Sequence, residues 1–530
     1  MAVQNLTFQH ALDFNRYTLS WEPQNGRALV SAGLLAVLLV LLIVSKRSRK
    51  TNVPAPGCTI PVLGPWIEAW RFIHDPVGVI EDGVQKSGLG TTFKIATPSR
   101  WLVLTSNEKV IKELGNIDEK ILSMQAAADE RNAIRHILGP GIHDDPFHVR
   151  IINKYLAVHL GKVIEAIKEE LDINLQELSR NIGDDWKDFD DFHEFLFECV
   201  SSTTNRMLVG HPLCRNKEYL DCLVKLSARI SLAGQISNFL PNFIRLLVSN
   251  LMVLRSDCYR NFISFVGPVI EKRRKEREGL NSEDENRPND GIEWVLERAG
   301  PDSTTHDICA RILYLAFSAI HTSSIGITHA IYDLAANPQY QDPIKEEVES
   351  VLQTEGGWTT QALSKMKNLD SSLKESQRRN PVTIVTMMRK AMVPCTLSDG
   401  TFLPRGHWIG VAAYAINHFE RHHRLPKVYE AFRFSNLSDH GATITNEKTM
   451  RKDQGMAHGN LGYLSFGIGR HACPGRYFTA AELKILLGSL LREYEIKLSG
   501  PARPGKFLAF ACIPDYETKL AIRKREISTV

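Results

Sequence analysis

Apolar residues recur at three- and four-residue intervals from about residue 150 to 275, a spacing that is typical of helices burying one face. Thr91–Ile95 and Trp101–Thr105, on either side of Pro98-Ser99, instead predict a β-hairpin. The stretch 396–410 predicts further short strands about an Asp-Gly turn. The predicted fold is therefore mainly α with a small β portion.

Two more helices are predicted towards the carboxyl end of the chain. The segment 306–338 is long and mostly apolar, and it ends at Asn337-Pro338 because the residue before a proline avoids the helical conformation. The pattern over 476–498 is amphipathic, with apolar residues at helical spacing. The charged stretch 273–290 is predicted to be a solvated loop.

An uncharged apolar segment runs from residue 28 to 44 and is followed, after Ser45, by KRSRK at residues 46–50. A cleaved signal peptide would have a shorter apolar run, with its positive charges before it. We therefore predict a single-pass membrane anchor over 28–44, with KRSRK in the cytoplasm and residues 1–27 in the lumen. There Asn5, in Asn-Leu-Thr, is a candidate glycosylation site. Prolines in 45–65 predict a stiff hinge, and 66–530 is predicted to be one folded domain.

The composition excludes several classes of protein. Hydrophobic residues make up 43% of the chain and charged residues 23%, which is ordinary for a protein with a large core. A net charge of +4 over 530 residues does not indicate a nucleic-acid partner. The nine cysteines are scattered and form no C-x-x-C pair, which argues against a disulfide framework or a cysteine-rich zinc module and favours a reducing compartment.

One cysteine has an unusual context. The sequence SFGIGRHACPGRYF, residues 465–478, places Cys473 among glycines and basic residues, just before the predicted helix. A helix N-terminus, backbone N–H groups turned by Gly469 and Gly475, and basic neighbours such as His471 all favour a thiolate, since a free cysteine has a pKa of about 8.5. A metal ion would complete the effect, whereas zinc would need more ligands than this stretch holds. A buried structural cysteine would explain neither the glycines nor the charges.

This stretch matches F-x-x-G-x-x-x-C-x-G at Phe466, Gly469, Cys473 and Gly475, and it resembles the haem-binding loop of the cytochrome P-450 family of haem-thiolate monooxygenases. The resemblance implies that Cys473 is the axial ligand of haem iron, that Phe466 packs beneath the haem, and that His471 reaches a propionate. It covers the chain after residue 50 and is similar in particular to fungal membrane-bound enzymes of terpenoid and alkaloid pathways, including the ent-kaurene oxidase type.

Another family pattern occurs upstream of the cysteine in the expected order. Glu375-x-x-Arg378 places two side chains on one face of a helix, although such pairs are often only surface ion pairs. With Arg433, which lies between this pair and the cysteine, it resembles the Glu–Arg–Arg triad of the family. The resemblance implies that the triad holds the fold around the haem and takes no part in the chemistry.

Of two arginines that bind the haem propionates in the family, this chain has a counterpart of one and lacks the other. Arg389 resembles the β-strand arginine that binds a propionate in the family. In the helix where the family places a second such arginine, this chain has Asn153. Compensation is open among His148, Arg150 and Lys154, and His148 is our candidate.

Small side chains form a stripe along the predicted helix 306–338, which suits either close helix packing or a flat cofactor. They are Ser318, Ala319, Thr322 and Gly326. The resemblance implies that Thr322 steadies dioxygen and guides protons to it. The acid that precedes this threonine in the family is replaced by His321, which could carry protons near neutral pH.

The resemblance implies a haem-dependent monooxygenase that oxidises a hydrophobic small molecule, a terpenoid or alkaloid intermediate of fungal secondary metabolism. Electrons would come from NADPH through a membrane NADPH–cytochrome P-450 reductase, with cytochrome b5 as a further candidate donor. The catalytic domain, 66–530, would face the cytoplasm from the endoplasmic reticulum membrane.

Two other functions stay open: a haem-thiolate isomerase or dehydratase that needs neither reductase nor dioxygen, and a catalytically silent haem- or lipid-binding protein. The candidate substrate-pocket residues could equally be plain core; they are Met124, Phe317, Val382, Thr383, Ile384 and Ile513.

Overall fold

The computed structural model describes residues 51–57, 60, 63–237, 240, 242–279, 287–300, 302–435 and 455–525. The predicted luminal segment, the predicted anchor over 28–44 and the candidate glycosylation site Asn5 lie outside these residues. These predictions and the boundaries of the hinge stay predictions.

Helices dominate the described chain, and the strands are short, which confirms the predicted fold class. The α-helices are α1 Gly64–His74, α2 Pro76–Ser87, α3 Glu108–Asn116, α4 Met124–Asn132, α5 Ile134–Ile137, α6 Gly141–Asp144, α7 Phe147–Ser179, α8 Phe192–Leu208, α9 Lys217–Ser237, α10 Asn242–Ser249, α11 Asp257–Gly279, α12 Gly291–Arg298, α13 Thr305–Ala335, α14 Gln341–Glu355, α15 Thr360–Lys365, α16 Lys367–Arg379, α17 Ala413–Asn417 and α18 Arg476–Glu493. The strands are β1 Thr92–Ala96, β2 Trp101–Thr105, β3 Leu122–Ser123, β4 Lys187–Phe189, β5 Thr386–Ala391, β6 Cys395–Thr396, β7 Phe402–Leu403, β8 Trp408–Val411, β9 Tyr494–Leu498, β10 Lys506–Leu508, β11 Ala511–Ile513 and β12 Leu520–Lys524.

The chain divides into two compact units. Unit 1 comprises Met1–Ile137, Val224–Arg255 and Met388–Val411, and unit 2 comprises Leu138–Leu223, Ser256–Met387 and Ala412–Val530.

Unit 1 is built around a five-stranded sheet with the strand order β1-β2-β8-β5-β3. The predicted hairpin is confirmed, because β1 and β2 pair antiparallel, with Phe93 opposite Leu104. All residues of both strands are buried, and α1 and α2 pack against β1. The strands predicted within 396–410 are also present, since β6 pairs with β7 around a turn in which Gly400 has a positive φ of 83°.

The core of unit 2 is the long helix α13, which packs against α8, α11, α16 and α18. The Thr304 side chain caps its first turn by accepting a hydrogen bond from the backbone N–H of Asp307. The helix ends at Ala335, close to the predicted stop at Asn337-Pro338. Among the described helices it is the one that is long and apolar enough to cross a membrane, and much of it is buried inside the protein.

The prediction of one amphipathic helix over 476–498 is wrong in two respects. Helix α18 ends at Glu493, and Tyr494–Leu498 forms strand β9, which pairs with β12. The helix is also not amphipathic, because nearly every residue from Phe478 to Leu491 is buried. Its apolar positions therefore reflect burial on all sides rather than one buried face.

The predicted loop over 273–290 is helical in its first part, since α11 continues to Gly279. Arg273 is buried there and forms a bidentate ion pair with Asp290. Arg277 donates to the Glu293 carboxylate over 2.8 Å. Arg273 and Arg277 are therefore held in ion pairs and are not simply solvated, so the prediction of a solvated loop is wrong for this part of the segment.

Candidate functional site

The loop before α18 turns tightly around Cys473. The backbone N–H of Cys473 donates to the carbonyl oxygen of Phe466 over 2.9 Å, and a 3-10 turn spans Gly469–His471 between them. Gly467 and Gly469 have φ values of 67° and 78°, which glycine adopts without strain and other residues rarely adopt. The glycines therefore shape a loop that presents the cysteine at the N-terminus of α18.

The Cys473 sulfur accepts hydrogen bonds from the backbone N–H groups of Gly475 and Arg476, and the Arg476 charge also favours the thiolate. Burial nevertheless outweighs these contacts and raises the pKa of the Cys473 thiol above its usual value. The local features therefore favour ionisation as predicted, but they do not outweigh desolvation, which penalises the charged form. A cation bound to the sulfur is needed to hold it as a thiolate.

No cluster of three or more His, Cys, Asp or Glu side chains suited to a metal ion occurs in the part of the chain that the structure describes. The described residues therefore do not supply the ligand set that a zinc site around Cys473 would need. A single cysteine with backbone donors on its sulfur fits a metal whose other ligands come from a macrocycle, as in haem. The Cys473 loop fits haem in this respect.

Helix α13 has an accessible face at mid-length. The side chains of Ser318 and Thr322 are exposed, although their neighbours Ile320 and Ser323 are buried. The Thr322 hydroxyl donates to backbone carbonyls of its own helix, with distances of 3.0 Å to Ser318 and 3.1 Å to Ala319. Its lone pairs stay available to a further donor on the exposed face.

The fourth member of the small-residue stripe has a different role. A side chain at Gly326 would meet Gln377 of α16 at 3.4 Å and Leu483 of α18 at 3.7 Å. A methyl group at Gly326 would be in ordinary van der Waals contact with these two side chains, so this position lies in a helix-packing interface, whereas Ser318 and Thr322 face open space.

His321 lies beside Phe197 of α8, with the ring centroids 5.6 Å apart. Burial lowers the pKa of His321 to about 4. The ring is therefore neutral at physiological pH and does not store an additional proton. A relay through His321 stays a prediction, and it would have to use the neutral ring.

His148, at the start of α7, is fully buried. The guanidinium of Arg311 donates to its Nδ1 over 3.0 Å, and burial followed by the Arg311 charge lowers the pKa of His148 to about 3. The proton of the neutral ring therefore lies on Nε2, which has no hydrogen-bond partner among the described residues. A buried N–H without an acceptor fits a carboxylate such as a haem propionate.

The other candidates on α7 are solvent-facing. Asn153 and Lys154 are exposed, and Arg150 forms an exposed ion pair with Asp145 at 3.2 Å. Among the alternatives that the sequence leaves open, His148 is the buried one.

Arg389, on β5, is buried in unit 1. Its Nη2 donates to the carbonyl of Leu114 over 3.1 Å, while its buried Nε has no partner among the described residues. Burial lowers the pKa of Arg389 to about 10, with Glu119 acting in the opposite direction. A buried guanidinium with an unused donor also fits a carboxylate ligand.

The structure brings Glu375, Arg378 and Arg433 together. The Glu375 carboxylate accepts from Arg378 Nε at 2.7 Å and Nη2 at 2.9 Å, and from Arg433 Nε at 3.0 Å. All three side chains are buried. Arg378 also donates to the carbonyls of Asn417 and Pro426, each at 2.7 Å. The triad therefore joins α16 to the segment 417–433.

Four of the candidate pocket residues belong to unit 2. Val382, Thr383 and Ile513 lie in neighbouring segments, and Phe317 lies on α13. The backbone N–H of Cys512 donates to the carbonyl of Val382, and Thr383 forms a β-bridge with Ala511. Val382, Thr383, Ile513 and Phe317 are half-buried. Ile384 is fully buried and belongs to the core, because its side chain is closed off by packing. Met124 begins α4 in unit 1.

Arg311 and Glu482 are two of the buried charged residues that were missed from the sequence. Arg311 is held by Asp307, by His148 and by the carbonyls of Gly141 and Asp145. Glu482 lies fully buried in α18. In each case the available signal was a charged residue in a mostly apolar helical stretch. Such a residue is rarely buried unless it has a polar or charged partner.

Comparison with known proteins points to the same family as the pattern around Cys473. A family model described as Cytochrome P450 matches residues 54–515. The chain is 34% identical over 500 residues to cytochrome P450 monooxygenase 151 of Postia placenta, covering 93% of this chain and 98% of that protein. It is 27% identical over 507 residues to cytochrome P450 monooxygenase olcJ of Penicillium canescens, covering 94% and 92%.

The fold is similar to that of a solved structure, retinoic acid bound cyanobacterial CYP120A1. The TM-score is 0.66 with 14% sequence identity, over 90% of this chain and 100% of that one. At this identity the likeness concerns the fold alone.

Proposed function

The chain belongs to the cytochrome P450 family, and we propose that it oxidises a hydrophobic small molecule, a terpenoid or alkaloid intermediate of fungal secondary metabolism. It is a monooxygenase, and its cofactor is haem held by a cysteine thiolate. When bound, haem supplies the oxidising chemistry, using dioxygen and two electrons.

The position of the Cys473 thiol is the observation that carries the assignment of the ligand. Two backbone N–H groups point at this sulfur, and they would lower the electron density that it donates to iron. His148, in the same unit as Cys473, offers a buried, unused N–H donor to a propionate. For Arg389 in unit 1, whose buried Nε also lacks a partner among the described residues, the role of propionate ligand rests on the resemblance to the family. Phe466 and His471, half-buried in the same loop, would complete the contacts as the family pattern implies.

The remaining residues position substrate and protons. Thr322, on the accessible face of α13, would accept a hydrogen bond there, because its own hydroxyl hydrogen is held by backbone carbonyls. In this way it would steady a donor on that face and help to direct protons. Val382, Thr383, Ile513 and Phe317 are partly exposed apolar or small side chains suited to a hydrophobic substrate.

Exposed apolar side chains in unit 1 support attachment to the endoplasmic reticulum membrane in addition to the predicted anchor. Leu63, just before α1, and Ile67 and Trp70 on α1 are 61%, 55% and 65% exposed, about twenty residues after the end of the predicted anchor. Leu247 and Leu251 are 59% and 56% exposed at the end of α10 and in the turn after it. Exposed large apolar side chains of this kind favour contact with a lipid bilayer.

Electrons would come from NADPH through a membrane NADPH–cytochrome P-450 reductase, with cytochrome b5 as a further donor. The family needs a redox partner as a general rule, and an anchored chain would meet one in the same membrane.

Reductase-containing microsomes that carry the full chain provide the test. With NADPH and isotopically labelled dioxygen, mass spectrometry should find one labelled oxygen atom in a product from a panel of terpenoids and alkaloids. Turnover under anaerobic conditions without NADPH would instead support an isomerase or dehydratase. Microsomes without the chain are the control. Complete absence of turnover on a broad panel, in protein that contains haem, would contradict the proposal and support a silent binding protein.

Replacing Thr322 with alanine should increase the hydrogen peroxide released per NADPH consumed. The change removes a hydroxyl from the exposed face of α13 while the helix itself keeps its backbone hydrogen bonds. Peroxide and product are measured together with NADPH consumption. The matched control is Thr328→Ala, because this buried threonine also bonds its own helix, to Ser324, but faces the core. Equal coupling in both variants would show that protons do not pass Thr322.

A further inference from the structure

A surface pocket of unit 2 lies where α7, α14 and α18 come together, and the proposed monooxygenase function makes no use of it. Its volume is about 540 Å³, which is within the range of small-molecule sites. The side chains that matter here are Lys168 of α7, Glu349 and Leu352 of α14, Trp358 just after α14, and Arg492 in the last turn of α18. All of them belong to the same compact unit.

Glycines bring the aromatic ring and the guanidinium group of this pocket to one face of α18. A side chain at Gly488 would meet the Trp358 ring at 2.8 Å, which is closer than packed atoms approach, so the ring lies directly against this helix. Arg492 follows four residues later and therefore lies on the same face. Gly356-Gly357, with φ values of 73° and 139°, turns the chain out of α14 directly before Trp358.

Two N–H donors of the pocket side chains lack a partner. Trp358 Nε1 and Arg492 Nε are both buried and form no hydrogen bond among the described residues. The charge of Arg492 acts on the exposed carboxylate of Glu493, but Arg492 forms no ion pair in the described part of the chain. Buried N–H groups are nearly always satisfied in folded proteins, so an acceptor from outside the chain is expected for this pair of donors.

The charges around the pocket favour an anion with a single negative charge. Lys168 already pairs with Asp172, and Glu349 pairs with Lys345 at 3.8 Å. Arg492 is therefore the lining cation without a counter-ion among the described residues. The carboxyl ends of α14 and α18 also lie at the pocket and carry partial negative charge. These ends and Glu349 would repel a dianion such as a phosphate monoester, whereas a carboxylate matches one free guanidinium group.

Apolar side chains form the remaining wall of the pocket. Leu352 and the Trp358 ring are half-buried, so each keeps some surface open to solvent. An apolar chain or an aromatic ring attached to a carboxylate would pack against them. The pocket therefore suits an amphipathic acid better than a simple inorganic anion.

The pocket is separate from the Cys473 loop. Arg476, beside the cysteine, and Arg492 lie at the two ends of α18. At 1.5 Å per residue these two ends are roughly 24 Å apart. A small molecule held by Arg492 therefore does not reach the position of the proposed iron ligand.

We propose that this pocket is a binding site for an amphipathic monocarboxylic acid, distinct from the substrate site. The carboxylate accepts hydrogen bonds from the guanidinium group of Arg492 and from Trp358 Nε1, near the ammonium group of Lys168. The apolar part of the acid packs against the Trp358 ring and Leu352. A membrane fatty acid and a water-soluble aromatic acid share this chemistry, and the two probes of the experiment distinguish these sources.

Titration of the full-length holoenzyme with decanoate and with phenylacetate tests the proposal. An azole that ligates the haem iron is present throughout, so neither acid occupies the substrate site. We expect calorimetry to show saturable binding of at least one acid, with an unchanged haem absorption spectrum. The uncharged analogues decanol and phenylethanol should bind about tenfold more weakly, because they lack the charge that Arg492 recognises. Binding of decanoate alone supports a lipid source, and binding of phenylacetate alone supports a soluble one.

Two variants assign the binding to this pocket. Arg492→Gln should weaken the affinity about tenfold, because a charged hydrogen-bond donor is lost. Trp358→Phe keeps an aromatic ring against α18 but removes the N–H donor, and it should weaken the affinity about threefold. Haem content and the carbon monoxide difference spectrum of each variant show whether it is folded. Because the substrate site is blocked, the result does not depend on whether the chain oxidises a terpenoid or an alkaloid.

Arg523→Gln is the matched control. Arg523 is also half-buried in unit 2, but it lies on β12 outside the pocket and pairs with Glu495 at 2.8 Å. Removing its charge should leave the affinity for the acid unchanged. An equal loss of affinity in Arg523→Gln would show general attraction to the positive charge of the protein and would overturn the inference. The absence of saturable binding to the wild type, or wild-type affinity in both Arg492→Gln and Trp358→Phe, would overturn it as well.

Discussion

Replacing Cys473 with serine should abolish the carbon monoxide absorption band that distinguishes a thiolate-ligated haem. A serine hydroxyl is nearly the same size as the thiol, but it ionises far less readily and is a poor ligand for iron. The loop itself should survive, because its shape depends on the positive φ values of Gly467 and Gly469 and on the bond from the residue-473 N–H to Phe466. The measurement is the difference spectrum of the reduced, carbon monoxide-treated protein, together with its haem content.

Cys395→Ser is the matched control for this prediction. Cys395 is half-buried, like Cys473, and lies on β6 of unit 1. We expect it to leave the absorption band and the haem content unchanged. A band of full intensity in Cys473→Ser, or its loss in Cys395→Ser, would show that a different residue ligates the iron.

The parts of the site that could be predicted from the sequence are those that depend on nearby residues. The Cys473 loop needs glycines at positions with positive φ and a helix starting just after the cysteine, and both requirements are visible as spacing. The hairpin of β1 and β2 is similarly local, because a turn signal separates two short apolar segments. Helix α13 has its cap at Thr304 and its stop near Asn337-Pro338.

Properties that depend on burial could not be predicted in this way. The basic residues around Cys473 suggest a low thiol pKa, yet enclosure by the rest of unit 2 raises it. The end of α18 at Glu493 depends on pairing of Tyr494–Leu498 with β12, which is remote in the chain. Helical and alternating patterns cannot be separated when nearly every position is apolar, as in this segment.

Long-range polar contacts were the other part that the sequence did not reveal. Glu482 meets Thr203 across 279 positions of the chain, and Arg311 meets His148 across 163. No local pattern links such partners, because the helices that carry them are brought together by the packing of their apolar faces. The triad was predictable only because its pattern is known from a family.

Replacing Glu375 with alanine should destabilise the protein by about 3–5 kcal/mol, because the change leaves two buried guanidinium groups without a counter-charge. Arg378 and Arg433 have exposed side-chain fractions of 0% and 7%, so water cannot replace the lost carboxylate. Their bonds to the carbonyls of Asn417, Pro426 and Val428 would keep them near their positions, which prevents an easy escape to solvent. Haem retention should decrease in parallel if the triad supports the fold around the haem. The free energy of unfolding by denaturant and the haem content of the purified protein measure the two effects.

The matched control is Glu349→Ala, which removes a carboxylate from an ion pair with Lys345 on α14. This pair has a separation of 3.8 Å and exposed side-chain fractions of 24% and 44%, so its loss should cost about 1 kcal/mol or less. Glu375→Asp separates charge from geometry: it keeps the negative charge but shortens the side chain, and we expect an intermediate loss of stability. The triad differs from a surface pair because both arginines pay the cost of desolvation whether or not the carboxylate is present. Equal stability of Glu375→Ala and Glu349→Ala would mean that the buried guanidinium groups find other partners, and the structural role of the triad would then be refuted.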